Sequence, residues 1–233
     1  INWQSSNQNI QSLAESRAAT EANKTNGVIN QYDREVKFAN DLFAPIFEAY
    51  YKQPITDLVK DPEALKIGQR LYSQNCSQCH GSDARGQRGF PNLTDDDWLY
   101  GGSPEKITET LINGRKAMMP AQLVAHGEDG IEELVAYVLS LSNRPNLEQT
   151  MVDAGQARFA ICSACHGQDG KGNQLIGAPN LTDQIWLYGG TDKSITETLR
   201  YGRNGVMPAF KTTLGEKKIH LVSAYVYSLS QDK

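Results

Sequence analysis

The sequence predicts an all-α protein of two tandem helical domains behind a helical N-terminal arm. Three observations carry this reading. A long stretch of the chain occurs twice, apolar residues around each copy recur at helical intervals, and each copy opens on the same cysteine-rich pentapeptide.

The duplication sets the domain organisation. Cys76-Ser77-Gln78-Cys79-His80 is followed by Pro91-Asn92-Leu93-Thr94-Asp95, Trp98-Leu99-Tyr100-Gly101-Gly102, Ile107-Thr108-Glu109-Thr110-Leu111, Gly114-Arg115 and Met119-Pro120-Ala121. Each phrase returns 88 residues later, from Pro179 to Ala209, while His80 and His166 lie 86 apart. The second copy therefore carries two extra residues in the Gly-rich loop after its histidine. Two copies of this size are duplicated domains, not a solenoid. The expected boundaries are an arm over 1–60, a first domain over 61–143, a linker over 144–150 containing Pro145, and a second domain over 151–233.

Taken in order, residues 1–30 are rich in Asn, Gln, Ser and Ala and read as a frayed helix or a disordered leader. From Tyr32, the residues Val36, Phe38, Ala39, Phe43, Phe47 and Tyr50 or Tyr51 recur at helical intervals, interrupted by Pro45. This is an amphipathic arm whose aromatic stripe is a packing surface. Asp61-Pro62-Glu63 starts a helix, with an acid at the N-cap and proline at the first helical position. That helix carries Gly68 and Tyr72, and its repeat carries Gly155 and Phe159, each pair on one helical face. A glycine there destabilises an isolated helix, so another helix is expected to approach closely. The expected partner is the last helix of the same domain, bearing Ile131, Leu134, Val135 and Val138 in the first and Ile219, Val222, Val226 and Leu229 in the second.

Composition bounds the function. With 233 residues, a net charge of −4 and 39% hydrophobic residues, the chain supports two modest cores, and nothing in it suggests nucleic-acid binding. It contains no run of 18 apolar residues and begins at Ile1, which reads as a mature or truncated product. Residues 61–143 carry −5 and residues 151–233 carry +2. The acidic first domain would steer a basic redox partner, although ordinary solvated charge accounts for it equally well.

The chemistry lies in the pentapeptides. Cys-x-x-Cys-His is the attachment signature of c-type haem: two thiols three positions apart reach the two vinyl groups of one porphyrin, and the adjacent histidine is held beneath the iron. All four cysteines fall in these motifs, leaving none for a disulfide framework. A zinc site would want a second Cys or His pair nearby, and a redox disulfide would want a βαβ setting; neither is present. Cys76, Cys79, Cys162 and Cys165 are therefore the expected attachment points of two covalent haem c groups, with His80 and His166 as proximal ligands.

The Gly-x-x-x-aromatic helix, the Cys-x-x-Cys-His, the later Met-Pro and the aromatic-bearing final helix resemble class I cytochrome c, twice over. Phe90-Pro91-Asn92-Leu93-Thr94-Asp95, Asp97-Trp98-Leu99-Tyr100-Gly101-Gly102 and the closing Ala224-Tyr225-Val226-Tyr227-Ser228-Leu229-Ser230 resemble the dihaem CcoP (FixP) subunits of cbb3-type cytochrome c oxidases, from about residue 31 to the end. That resemblance implies helices wrapped around each haem, with the terminal helices crossing. It also implies a membrane anchor upstream of the arm, missing here, on the periplasmic side of a bacterial inner membrane.

A carrier haem needs a sixth ligand that stays in place. Met119 and Met207, each before proline and at equivalent positions, are the candidates. Met118 aligns with Val206 and is assigned to packing. His126, which aligns with Leu214, is an alternative to Met119 that would give bis-histidine ligation in the first domain, and His220 is read as a surface or packing residue. A proximal histidine usually donates its free N–H to a carbonyl; in class I cytochromes a proline supplies it, and Pro91 and Pro179 match. Buried propionates want donors, and Arg115, Arg203, Trp98, Trp186, Tyr100 and Tyr188 recur symmetrically for that role or for plain packing.

With both irons six-coordinate there is no catalytic residue to assign, and the chain shuttles electrons. The resemblance implies a soluble cytochrome c as donor and, beyond this chain, a mono-haem subunit and a haem-copper catalytic subunit. The alternatives are a free dihaem carrier resembling cytochrome c4, and, in a different class, a dihaem peroxidase or gas-binding haem protein with an open iron position.

Overall fold

The computed structural model describes residues 31–231. The leader over 1–30 lies outside them. The chain divides after Ala49 into two compact units.

The first unit contributes most of helix α1, Gln31–Tyr51, which continues through Pro45. Its Phe38, Leu42, Phe43 and Ile46 are largely exposed, and Phe43 meets Phe47 with ring centroids 6.5 Å apart.

The second unit is mostly helical. Its elements are α2 (Ile55–Leu58), α3 (Pro62–Asn75), α4 (Ser77–His80), α5 (Pro104–Asn113), β1 (Arg115–Met119), α6 (Leu123–Leu141), α7 (Gln149–Arg158), α8 (Ser163–His166), α9 (Asp192–Tyr201), β2 (Arg203–Met207) and α10 (Lys211–Ser228). The starts follow local chemistry. The Asp61 carboxylate accepts from the N–H groups of Glu63 and Ala64, Ser103 Oγ accepts from Lys106 N, and Thr191 Oγ1 accepts from Ser194 N. Proline stands at the start of α3 and α5.

The helices form two cores, and neither core follows one repeat. In the first, Tyr72, Cys76, Ala84, Ile107 and Leu111 are packed with Ile219, Val222 and Val226 of α10. In the second, Phe159, Leu181, Ile195 and Leu199 are packed with Ile131, Leu134, Val135, Val138 and Leu139 of α6. The expectation that each glycine-bearing helix meets the last helix of its own repeat is therefore corrected: the last helices are exchanged. A Cβ on Gly68 would collide with the Leu221 carbonyl oxygen and stand 2.8 Å from Tyr225 Cβ. On Gly155 it would collide with the Glu133 carbonyl oxygen and stand 2.8 Å from Tyr137 Cβ. The aromatics seal the same crossings, Tyr72 on Tyr225 at 5.4 Å and Phe159 on Tyr137 at 5.1 Å between centroids. Residues 144–150, expected as an inter-domain linker, join α6 to α7, two helices that pack on each other.

The exchange happens at one place. Gly114 and Gly202 end α5 and α9 with φ of +69°, a left-handed conformation that glycine adopts without strain. The chain then leaves each helix extended, and β1 and β2 pair antiparallel as a two-stranded ribbon, with Arg115 opposite Met207, Ala117 opposite Gly205 and Met119 opposite Arg203. These strands are the departure from an all-α chain. Beyond the ribbon, Phe210 N donates to Leu111 O at 2.8 Å and Gln122 N to Leu199 O at 2.7 Å, so each Met-Pro turn is fastened to the helix of the other repeat.

Gly68→Ala and Gly155→Ala are each expected to cost about 1–3 kcal/mol, because the blocking atoms are backbone; chemical unfolding followed by circular dichroism measures it. A double-mutant cycle distinguishes the exchanged packing from the tandem one. Tyr72→Ala and Tyr225→Ala should show a coupling of about 0.5–1.5 kcal/mol, and Tyr72→Ala and Tyr137→Ala should be additive.

Candidate functional site

The two pentapeptides occupy equivalent places. Cys76 caps the C-terminus of α3, and the single turns α4 and α8 present His80 and His166, both 8% exposed, from beneath. His80 Nδ1 donates to Pro91 O at 2.9 Å and His166 Nδ1 to Pro179 O at 3.0 Å. That bond fixes the tautomer: with the proton on Nδ1, the lone pair of Nε2 is left for a metal. Burial holds the His166 imidazole below its ordinary pKa, against the Pro179 carbonyl, and so favours the neutral, ligating form.

None of the four cysteines is in a disulfide; Cys76 is buried, Cys162 half-buried, and Cys79 and Cys165 are exposed. Burial, then the neighbouring Cys79, pushes the Cys76 thiol up to about 11, and burial raises Cys162. A dithiol redox site lowers its attacking thiol instead. Among the described residues no group of three or more His, Cys, Asp or Glu side chains is placed to hold a metal, so neither pair is part of a zinc-type cluster.

The arginines form matching constellations. Arg115 donates through Nε to Thr110 Oγ1 at 2.9 Å and through Nη1 to Glu109 at 3.0 Å, and lies 4.6 Å over the Tyr100 ring. Arg203 repeats this with Thr198 at 3.0 Å, Glu197 at 3.0 Å and Tyr188 at 4.5 Å. In both, the remaining Nη2 is buried without a partner, as is Trp186 Nε1. A buried donor left unpaired costs about 1–3 kcal/mol, so these donors suit an anionic group with the polarity of a haem propionate. The residues fit haem c on this observation. Glu109, Thr110, Glu197 and Thr198, which aim the arginines, were not singled out in the sequence. Their signal was the repeated Ile-Thr-Glu-Thr-Leu phrase.

The methionines differ sharply. Along β1 the inward and outward positions alternate. Met119 and Met207 face inward, Met119, like Cys162, against the core that contains Phe159, and Met207 against the core that contains Tyr72 and Cys76. Met118 and Val206 point outward at 76% and 64% exposure, so the assignment of Met118 to packing is corrected. His126 lies on the first turn of α6, with Nε2 buried and unpartnered among the described residues. That turn packs with the second core through Leu123, which moves the histidine away from the first-domain role expected for it. His220 Nε2 donates to Gln53 O at 2.8 Å and its ring meets the edge of Tyr51.

The loops of the two repeats also meet. Arg88 reaches Glu197 at 2.8 Å, Gly89 N donates to Leu187 O at 2.8 Å, and Gln174 Nε2 donates to Trp98 O at 3.0 Å. Asp97 and Trp98 share a cleft with Lys171, Gly172, Ala178 and Pro179. Among the described residues no helix is long and apolar enough to cross a membrane.

Comparison with known proteins gives one family. The family described as "Cytochrome C oxidase, cbb3-type, subunit III" matches residues 63–138 and 150–226. The chain is 46% identical over 202 residues to the cbb3-type cytochrome c oxidase subunit CcoP of Rubrivivax gelatinosus, covering 86% of this chain and 66% of that protein. It is 43% identical over 194 residues to the subunit FixP of Bradyrhizobium sp. (strain ORS 278), covering 77% and 67%. To the subunit CcoP of Cereibacter sphaeroides it is 38% identical over 226 residues, covering 88% and 78%. The chain spans about two thirds of the length of the first two of these relatives.

Burial, with Asp183 and Asp95 adding repulsion, pushes the Asp97 carboxyl from 3.8 up to about 6. Between those values the native state keeps a proton that the unfolded chain has released, so this group lowers stability as pH rises through the window. Asp97→Asn is expected to raise the melting temperature at pH 8 by about 2–4 °C, the effect of roughly 1 kcal/mol once partial solvent screening is allowed for, and to change it little at pH 4. Thermal scans at the two pH values check the difference.

Proposed function

This chain belongs to the family of cbb3-type cytochrome c oxidase subunit III, and from that membership we propose that it is a dihaem electron-transfer subunit with no bond chemistry of its own. Two covalent haem c groups, on Cys76 and Cys79 and on Cys162 and Cys165, supply one-electron redox chemistry when bound. The observation that carries the reading is the doubled arrangement of a buried histidine held by a proline carbonyl and a half-buried arginine whose Nη2 is buried and unpaired.

The chain's own residues do the rest. His80 and His166 present unprotonated Nε2 atoms, oriented by Pro91 and Pro179. Met119 and Met207 provide thioethers that would fill the sixth positions and favour the reduced state. Arg115, Arg203 and Trp186 offer donors to propionates, and Trp98 packs beside the first site. Family membership supports class I cytochrome c units, a soluble cytochrome c as electron donor, and a mono-haem subunit followed by the haem-copper catalytic subunit as acceptors, on the periplasmic side of a bacterial inner membrane. A peroxidase or gas-binding reading needs an open iron position, and the two half-buried, inward-facing methionines argue against one.

Protein matured with covalent haem is expected to contain two haems per chain by its alkaline pyridine spectrum, to accept electrons from a reduced soluble cytochrome c, and to bind carbon monoxide slowly and substoichiometrically when reduced. Rapid, stoichiometric carbon monoxide binding at either haem overturns the carrier reading.

A further inference from the structure

We propose that Arg88, in the first repeat, is a positioning residue for the second haem site: acting through Glu197, it sets the aim and the effective charge of Arg203. This rests on the haem-binding reading above, in which Arg203 offers a donor to a propionate. It goes beyond that reading by naming what tunes the donor from outside its own repeat.

The two arginine sites are built alike but for one partner. In the first, one carboxylate oxygen of Glu109 accepts from Arg115 Nη1 at 3.0 Å and the other from Lys106 Nζ at 2.8 Å, one turn earlier on the same helix. In the second, one oxygen of Glu197 accepts from Arg203 Nη1 at 3.0 Å, but Ser194 stands where the first repeat has Lys106 and brings no charge. The other oxygen accepts at 2.8 Å from Arg88 Nη2, which comes from the loop between His80 and Pro91. The cation that the first site draws from its own helix, the second draws from the other repeat.

The Arg88 side chain is 59% exposed, and a pair between two loose chains at that exposure would count for little. Here the backbone beside it is held. Gly89 N donates to Leu187 O at 2.8 Å, and a Cβ on Gly89 would stand 3.4 Å from Cε1 of Tyr188, the ring over which Arg203 lies at 4.5 Å. A φ of +87° at Gly89 turns the loop onto that ring. Arg203 and then Arg88 hold the Glu197 carboxyl below its ordinary pKa, so the bridge between the two guanidinium groups is charged. The return contact is neutral, since Gln174 of the corresponding loop donates to a backbone carbonyl, Trp98 O.

The consequence is electrostatic. Arg203 is 19% exposed, and its Nη2 is buried without a partner. While Glu197 is shared with Arg88, more of the Arg203 charge remains for an anion at Nη2; without Arg88 the carboxylate would bear on Arg203 alone. An oxidised haem carries one more positive charge than a reduced one, so positive charge beside its propionate favours reduction. Arg88 therefore raises the potential of the second haem from within the loop whose Pro91 holds His80 of the first.

The full chain, loaded with haem, tests this by redox titration at low ionic strength, resolved into two components. Arg115→Gln and Arg203→Gln mark which component belongs to which site. Where Arg203→Gln does not mature, Glu197→Gln, expected to raise the second component, marks it instead. Arg88→Gln is expected to lower the reduction equilibrium constant of the second component about two- to fivefold, the span of a partly exposed ion pair, and Lys106→Gln to act on the first. Arg88→Lys should keep most of the unmutated value, and about 0.5 M salt should shrink the Arg88→Gln shift. A shift confined to the first component, or none, overturns the inference. So does an undiminished Arg88→Gln shift in a Glu197→Gln background, where Arg88 has no carboxylate to act through. Protein that matures without haem overturns the functional reading, and this inference with it.

Discussion

Two backbone-to-backbone helix crossings organise the second unit: Gly68 against Leu221, and Gly155 against Glu133. Only a residue without a Cβ lets the carbonyl ridge of the facing helix come so near, and the aromatic one turn later closes the contact. Each crossing fixes where α4 or α8 emerges from its helix, and that turn presents the histidine. A shift of the helix pair would therefore move the ligand. The helix cost of a mid-helix glycine, about 1 kcal/mol, is offset by apolar burial such as that of Ile219, Val222, Ile131 and Leu134, all fully buried.

Around this frame the polar groups of the two sites are paired through most of their atoms. The histidines spend Nδ1 on proline carbonyls. The arginines spend Nε and Nη1 on threonine and glutamate while their planes cover tyrosine rings. Among the buried atoms left unpaired, Nη2 of Arg115 and Arg203 and Nε1 of Trp186 are donors suited to propionates.

The repeats are similar but not equivalent. Tyr72 is fully buried and its hydroxyl donates to Gly81 O at 2.7 Å, whereas Phe159 has no such tie. Glu197 serves both Arg203 and Arg88, while Glu109 serves Arg115 and Lys106. His126 brings a polar ring to the turn where the other copy has Leu214. These differences give the two sites distinct polar surroundings on one scaffold.

Much of this was legible in the chain because it is local. The pentapeptides, the Asp61 cap, the Gly68 and Gly155 faces and the repeated arginines depend on spacing within a turn or two, which sequence states directly. Which helix those faces would meet was not legible. The repeats carry nearly the same pattern, so Gly68 is complementary to Tyr137 and to Tyr225 alike, and local sequence cannot choose between like partners. The choice was made by five residues on each side, Arg115–Met119 and Arg203–Met207, which leave a left-handed glycine extended and find their hydrogen bonds in each other. Once those strands pair, the chain beyond them lies over the other repeat, and the helices follow.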